Sequence, residues 1–92
     1  MLTVDFSKEA EKFSLRLPPK QKGQVGRRIN TLAENPYASD TRELHGLAPF
    51  RRADIGEYRI IYRVSETTLR VFLIGKRNDD EVYRKLKRMI NI

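Results

Sequence analysis

Three arginines and a tyrosine are the residues of this chain with the most chemistry to offer. Arg51, Arg59 and Arg77 fall on, or at the ends of, three consecutive strand-like segments, and Tyr83 follows soon after Arg77. A guanidinium keeps its charge at neutral pH and grips phosphate oxygens through a planar fork of donors. A tyrosine near a helix start offers a ring for base stacking and a hydroxyl for a phosphate or ribose. Like charges on neighbouring strands repel unless an anion sits among them, so this set suits a bound phosphate. The structural alternative is that each arginine pairs with Glu57, Asp54 or Glu66 on an exposed sheet face, while the Tyr83 ring packs on the core.

Other chemistries lack their residues. His45 is the one histidine; it lies in a loop and reads as a surface or packing residue. There is no cysteine, which excludes disulfides and thiolate metal sites. No histidine–carboxylate spacing suggests zinc or iron, so neither metal nor cofactor is expected. "KGQVG" (22–26) lacks the phosphate-loop pattern, and Ser7, Ser14, Ser39 and Ser65 have no sequence context for a nucleophile. The opening "MLTVDFSKEAEKF" carries charge throughout, so neither a signal peptide nor a membrane span is expected, and the lack of cysteine fits a reducing cytoplasm.

The elements that must position the arginines follow from periodicity. Leu2, Val4 and Phe6 alternate with Thr3 and Asp5, the pattern of a half-buried strand. Ser7 suits an N-cap, with Ala10, Phe13 and Leu17 at helical spacing behind it. Pro18-Pro19 ends that helix and opens the next, whose stripe is Val25, Ile29, Leu32 and Ala33; Asn35-Pro36 closes it. Residues 37–49 read as a polar connection. Strands are predicted at 50–55, 57–64 and 68–77, with the tight turns between them making an antiparallel meander. Asn78 and Glu81 have capping-box spacing for a last helix with Val82, Leu86, Met89 and Ile90 as its stripe.

The expected fold is therefore α+β, one domain over residues 1–92, in the order β-α-α-β-β-β-α. Its sheet is four-stranded and mostly antiparallel, with the helical hairpin on one face and the other face free to stay open. The net charge of +7 is uneven: residues 49–92 hold eleven basic and six acidic side chains. A basic surface draws polyanions through phosphate contacts and counterion release. Lys20, Lys22, Arg27 and Arg28 on the second helix are further candidates for RNA contact or an ordinary solvated face, and "RKLKR" (84–88) on the outer face of the last suits RNA or an acidic partner segment.

"LHGLAPFRRADIGEYRIIYRV" followed by "LIGKRNDDEVYRKLKR" resembles the RelE/ParE toxin superfamily, and "GKRNDDEVY" resembles its RelE branch. The resemblance runs from Leu2 to about Lys87. It implies the toxin of a type II toxin–antitoxin system that enters the ribosomal A site and cuts mRNA there without a metal. The 2′-hydroxyl of one nucleotide attacks the adjacent phosphate, leaving a 2′,3′-cyclic phosphate and a 5′-hydroxyl. By position, Arg59 matches the arginine that stabilises the pentavalent phosphate, Arg77 the proposed proton donor to the 5′-oxygen, and Tyr83 the base-stacking tyrosine. Arg51 falls where the family has the first of two strand lysines. The second lysine, the usual general base, falls near Ala53, which leaves Asp54 as a possible base and Lys76 as another. Arg52 and Lys76 join the expected RNA contacts. The resemblance also implies a RelB-like antitoxin with an acidic or amphipathic C-terminal segment, and operator DNA bound only through that complex. ParE members share the fold but poison DNA gyrase without catalysis.

Overall fold

The computed structural model describes residues 1–78 and 80–90. Along the chain run β1 (Thr3–Phe6), α1 (Lys8–Arg16), α2 (Pro19–Glu34), β2 (Arg42–Glu43), β3 (Arg51–Ile55), β4 (Tyr58–Ser65), β5 (Thr68–Lys76) and α3 (Glu81–Met89). The strands make one sheet in the order β1-β5-β4-β3-β2. From β2 to β5 the pairing is antiparallel, and β1 returns through the two helices to lie parallel to β5, with Thr3 opposite Thr68. A parallel neighbour needs such a helical crossover. The α+β class stands, with one strand more than expected. β2 lies in the segment read as a polar connection, where Arg42 pairs with Arg52 and Glu43 with Arg51. Two residues are too few to leave an alternation signal.

Local chemistry sets the ends of the elements. The Ser7 hydroxyl caps α1 by accepting from the Ala10 N–H at 3.1 Å and donates to the Phe72 carbonyl, which ties the helix start to β5. Pro18 and Pro19 divide α1 from α2 at the expected point, and Asn35 caps the end of α2. The last helix starts later than Asn78 would make it. Asp80 occupies its N-cap without a side-chain cap hydrogen bond, and Asn78 lies in an exposed turn.

The sheet buries apolar side chains on both faces. On one, Ala10 and Leu17, with Val25, Ile29 and Leu32 from α2, pack on Ala53, Ile60, Tyr62, Leu69 and Val71. On the other, Val82 and Leu86 of α3 join Leu44, Phe50, Ile61 and Leu73. The second face is thus partly roofed, not open. Ile60, Ile61 and Tyr62 are all buried, so β4 is apolar on both sides, as a strand flanked by two neighbours requires. The Tyr62 hydroxyl satisfies itself on the Pro36 carbonyl at 2.6 Å.

Candidate phosphate-binding site

The register decides which side chains meet. Asp54 on β3 stands opposite Arg59 on β4, and Gly75 on β5 stands opposite Arg59 from the other side. Directly opposed residues share a face, so Asp54 and Arg59 project together toward α3. Gly75 matters because it has no side chain: a Cβ there would lie 3.3 Å from Val82 Cβ. This close approach seats the first turn of α3 on β5 and brings Tyr83 down to Arg59. Arg59 Nε donates to Asp54 Oδ1 at 2.7 Å and Nη2 to Oδ2 at 3.1 Å, a two-pronged ion pair. Its Nη1 donates to the Tyr83 hydroxyl at 2.5 Å, and its Cζ lies 5.8 Å from the Tyr83 ring centroid.

These contacts hold Arg59 firmly without using up its donors. A guanidinium carries five N–H groups, and the contacts above engage three. Nη1 and Nη2 each keep one for an incoming oxyanion. The Arg59 side chain is 13% exposed and that of Asp54 37%, so the arginine is the more sheltered partner of the pair. The hydrogen bond from Arg59 lowers the Asp54 pKa, burial opposes it, and the fields of Arg59, Arg52 and Arg77 lower it further. The same hydrogen bond raises the pKa of Arg59. Both groups are charged at neutral pH, which makes Asp54 a weak proton acceptor.

Arg77 closes the site from the end of β5. Its backbone N–H donates to the Glu57 carbonyl at 2.9 Å and its Nη1 to the Gly56 carbonyl at 3.2 Å, in the turn between β3 and β4. Its charge reaches Asp54. Arg52 shares the face of Ile61 and Asp54 and pairs across the edge with Arg42. These two arginines line a small hollow with Asp40 and Asp54. They also enter a cleft of about 610 Å³, walled by Tyr83 and Lys87 from α3 and by the turn around His45. Tyr83 therefore joins the two parts of the site, with its hydroxyl on Arg59 and its ring in the cleft wall. The arrangement suits one phosphate over Arg59 and one base or ribose in the cleft.

A family model described as the ParE toxin of the type II toxin–antitoxin system parDE matches residues 2–81. The chain belongs to that toxin family. It thereby falls in the RelE/ParE superfamily that its motifs resemble. No curated protein matches it in sequence. Among solved structures it is similar to the isolated RelE toxin of E. coli, with a TM-score of 0.76 at 22% identity over 98% of this chain and 99% of that one. The RelBE2 toxin–antitoxin complex from Mycobacterium tuberculosis gives 0.71 at 26% identity, over 83% of this chain and 98% of that one. The YoeB/ParE toxin from Agrobacterium tumefaciens gives 0.71 at 19%, over 83% of this chain and 99% of that one.

Of the residues expected to form the toxin's site, Arg59, Arg77, Tyr83, Arg52 and Asp54 converge. Arg51 does not. It stands opposite Tyr62, on the α1–α2 face, where its Nη2 donates to Thr41 Oγ1 at 2.8 Å and Tyr37 stacks 5.1 Å from its Cζ. The resemblance aligned Arg51 by sequence position, but one step along a strand reverses the face. Lys76 does not join the site: it lines a separate groove with Lys12, Arg16 and Lys85. Lys20, Lys22 and Arg27 are exposed on α2, behind the sheet, and Arg28 Nη2 pairs with Asp40 at 2.9 Å. Arg28 and Arg51 thus pin the 37–41 turn that leads into β2. Arg42 and His45 are cleft residues that the sequence does not single out, and Lys87, from the 84–88 basic run already expected to contact RNA, joins them there. β2 spans only Arg42–Glu43, too short for an alternation that would point to Arg42 from sequence.

Proposed function

We propose that this toxin cuts ribosome-bound mRNA in the A site, by attack of a 2′-hydroxyl on the adjacent phosphate. The observation that carries this reading is Arg59, held by Asp54 at its base and by the Tyr83 hydroxyl at its tip, with one N–H each on Nη1 and Nη2 not used by these contacts. A preorganised guanidinium of this kind stabilises the negative charge that grows on a pentavalent phosphate. Tyr83 stacks on a base and fixes the nucleotide, while Arg52 and Arg77 add field around the phosphate. The nucleophile comes from the RNA, so the protein supplies orientation, charge and proton transfer. A RelB-like antitoxin neutralises the toxin by covering this basic face, and operator DNA is bound only by the pair. Among the described residues no helix is long and apolar enough to cross a membrane.

The second reading, a gyrase-poisoning binding module, draws on the parDE description of the matching family. One experiment separates the two. The toxin and its Arg59→Ala variant are each added to a reconstituted translation reaction, and mRNA 5′ ends are mapped by primer extension. New ends at the A-site codon, lost in Arg59→Ala, are expected. Intact mRNA together with inhibited gyrase supercoiling would overturn the RNA-cutting reading in favour of the other.

A further inference from the structure

The route through a 2′-hydroxyl needs a group to take one proton, and the converged residues do not supply a good one. Arg52, Arg59 and Arg77 keep their protons at neutral pH. Asp54 is bound twice by Arg59. Glu43 borders the same cleft as His45 but stands opposite Arg51 in the register, and a carboxylate is a weaker proton acceptor than an imidazole at neutral pH. Lys76 borders a different groove. The Tyr83 hydroxyl is engaged by Arg59.

His45 meets the requirement. It stands in the connection from β2 to β3, on the wall of the cleft that also holds Tyr83 and Arg52. Its backbone is well anchored. Leu44 and Phe50 on either side are buried, and the Leu44 N–H donates to the Phe50 carbonyl at 2.9 Å. Phe50 N–H returns to the Leu47 carbonyl at 2.9 Å, Leu47 N–H to the Leu44 carbonyl at 3.1 Å, and Gly46 takes the positive φ of 71° the turn needs. The imidazole itself is exposed. With its loop backbone held in this way, the exposed imidazole of His45 lines the cleft that Tyr83 also lines, where a nucleotide seated in the cleft can meet it.

We propose that His45 is the proton acceptor of the cleavage step, an assignment that rests on the RNA-cutting reading above. A neutral ring nitrogen takes the 2′-hydroxyl proton as the O2′–P bond forms. The P–O5′ bond then breaks, the departing 5′-oxygen collects a proton from water, and the imidazolium later releases its own to solvent. Imidazole is the side chain suited to this exchange between about pH 5 and 8. The charged and titratable groups that face it are Arg42 and Glu43 from β2, Arg52 from β3, and Tyr83 and Lys87 from α3.

The test is single-turnover cleavage of mRNA on purified, programmed ribosomes from about pH 5.5 to about 8.5, using the intact chain, His45→Gln, His45→Ala and Arg59→Ala. The intact chain is expected to speed up with pH and level off. His45→Gln is expected to lose about 10²- to 10⁴-fold in rate and to lose that rising limb. Added imidazole should restore part of the rate to His45→Ala and none to Arg59→Ala. Cleavage by His45→Gln with the same rate and pH limb as the intact chain overturns the assignment alone. A rate loss that keeps the limb and resists imidazole also overturns it, because His45 would then only shape the cleft. Failure of the intact chain to cut at any pH overturns the RNA-cutting reading and the assignment with it.

Discussion

The two faces of the sheet treat a strand arginine in opposite ways. On the face covered by α1 and α2, Arg51 is held by neutral partners, the Thr41 hydroxyl and the Tyr37 ring, and its buried Nε has no partner among the described residues. On the α3 face, Arg59 meets a carboxylate and a phenol beside an open cleft. The first face is roofed by two helices and holds the larger cluster of buried side chains. The second has one nine-residue helix and the loop from Leu44 to Phe50. A roof of two helices leaves an arginine only structural work, pinning the turn at 37–41. A partial roof leaves an arginine oriented by charged and phenolic partners next to a cleft, which is what a phosphate site needs.

The sharpest break in this comparison is Arg59→Ala. Loss of one preorganised donor group at a reacting oxyanion typically costs about 10²- to 10³-fold in rate. We expect that loss in the mRNA cleavage assay while the melting temperature moves little, because Asp54 is 37% exposed and regains water. If Arg59→Ala unfolds the chain instead, the α3 face depends on this arginine for its fold and the contrast between faces collapses.

Next come two leucines of equal size, one per face. Leu32 and Leu86 are both fully buried. Either change to alanine is expected to cost about 2–5 kcal/mol in urea unfolding, since each removes packing and leaves a cavity. Their effects on the site should differ. Leu86→Ala loosens the helix that carries Tyr83 and should weaken cleavage beyond the loss of folded protein, whereas Leu32→Ala should not. Equal residual activity per folded molecule would mean that α3 does not set the position of Tyr83.

A smaller and cleaner contrast comes from adjacent residues. Arg52→Gln removes a charge from the site face and should lower cleavage about tenfold, with little change in melting. Arg51→Gln removes a charge from the other face and should act in reverse, lowering stability by about 1 kcal/mol with cleavage per folded molecule unchanged. The same outcome for both would contradict the register that places them on opposite faces.

This pair also marks what the sequence could and could not reveal. Strand and helix periods were readable because Leu2–Phe6, Val25–Ala33 and the run 58–64 repeat long enough to establish a phase. Arg59 and Tyr83 were findable because they lie in those phased segments or in the motif at 75–83. Arg51 was misplaced because its strand is short and starts after Pro49, so nothing upstream sets its phase, and the family alignment supplied position without face. Arg42 was missed because β2 exists only through pairing with β3, a contact that no local pattern encodes. In sequence His45 is a lone loop histidine with no partner at a telling spacing, and only the folded cleft brings Tyr83 and Arg52 to its side of the molecule.

The smallest effect concerns the pH dependence of the ion pair that anchors the α3 face. The folded state lowers the Asp54 pKa, chiefly through the Arg59 hydrogen bond. A group with a depressed folded pKa stabilises the fold above its unfolded pKa of about 3.9, and that contribution fades as pH falls through the lower folded value. Asp54→Asn should therefore be less stable than the intact chain at neutral pH, and the gap should narrow below about pH 4. The partial exposure of Asp54 screens the pair, so the gap should stay under about 1 kcal/mol. Among the described residues Arg51 forms no ion pair with a carboxylate within 4 Å, and Arg51→Gln should show no such narrowing. Urea unfolding at a series of pH values decides the matter. A gap for Asp54→Asn that stays constant from about pH 6 to about pH 3 would mean that the Arg59 pair adds orientation to the site and nothing to the fold.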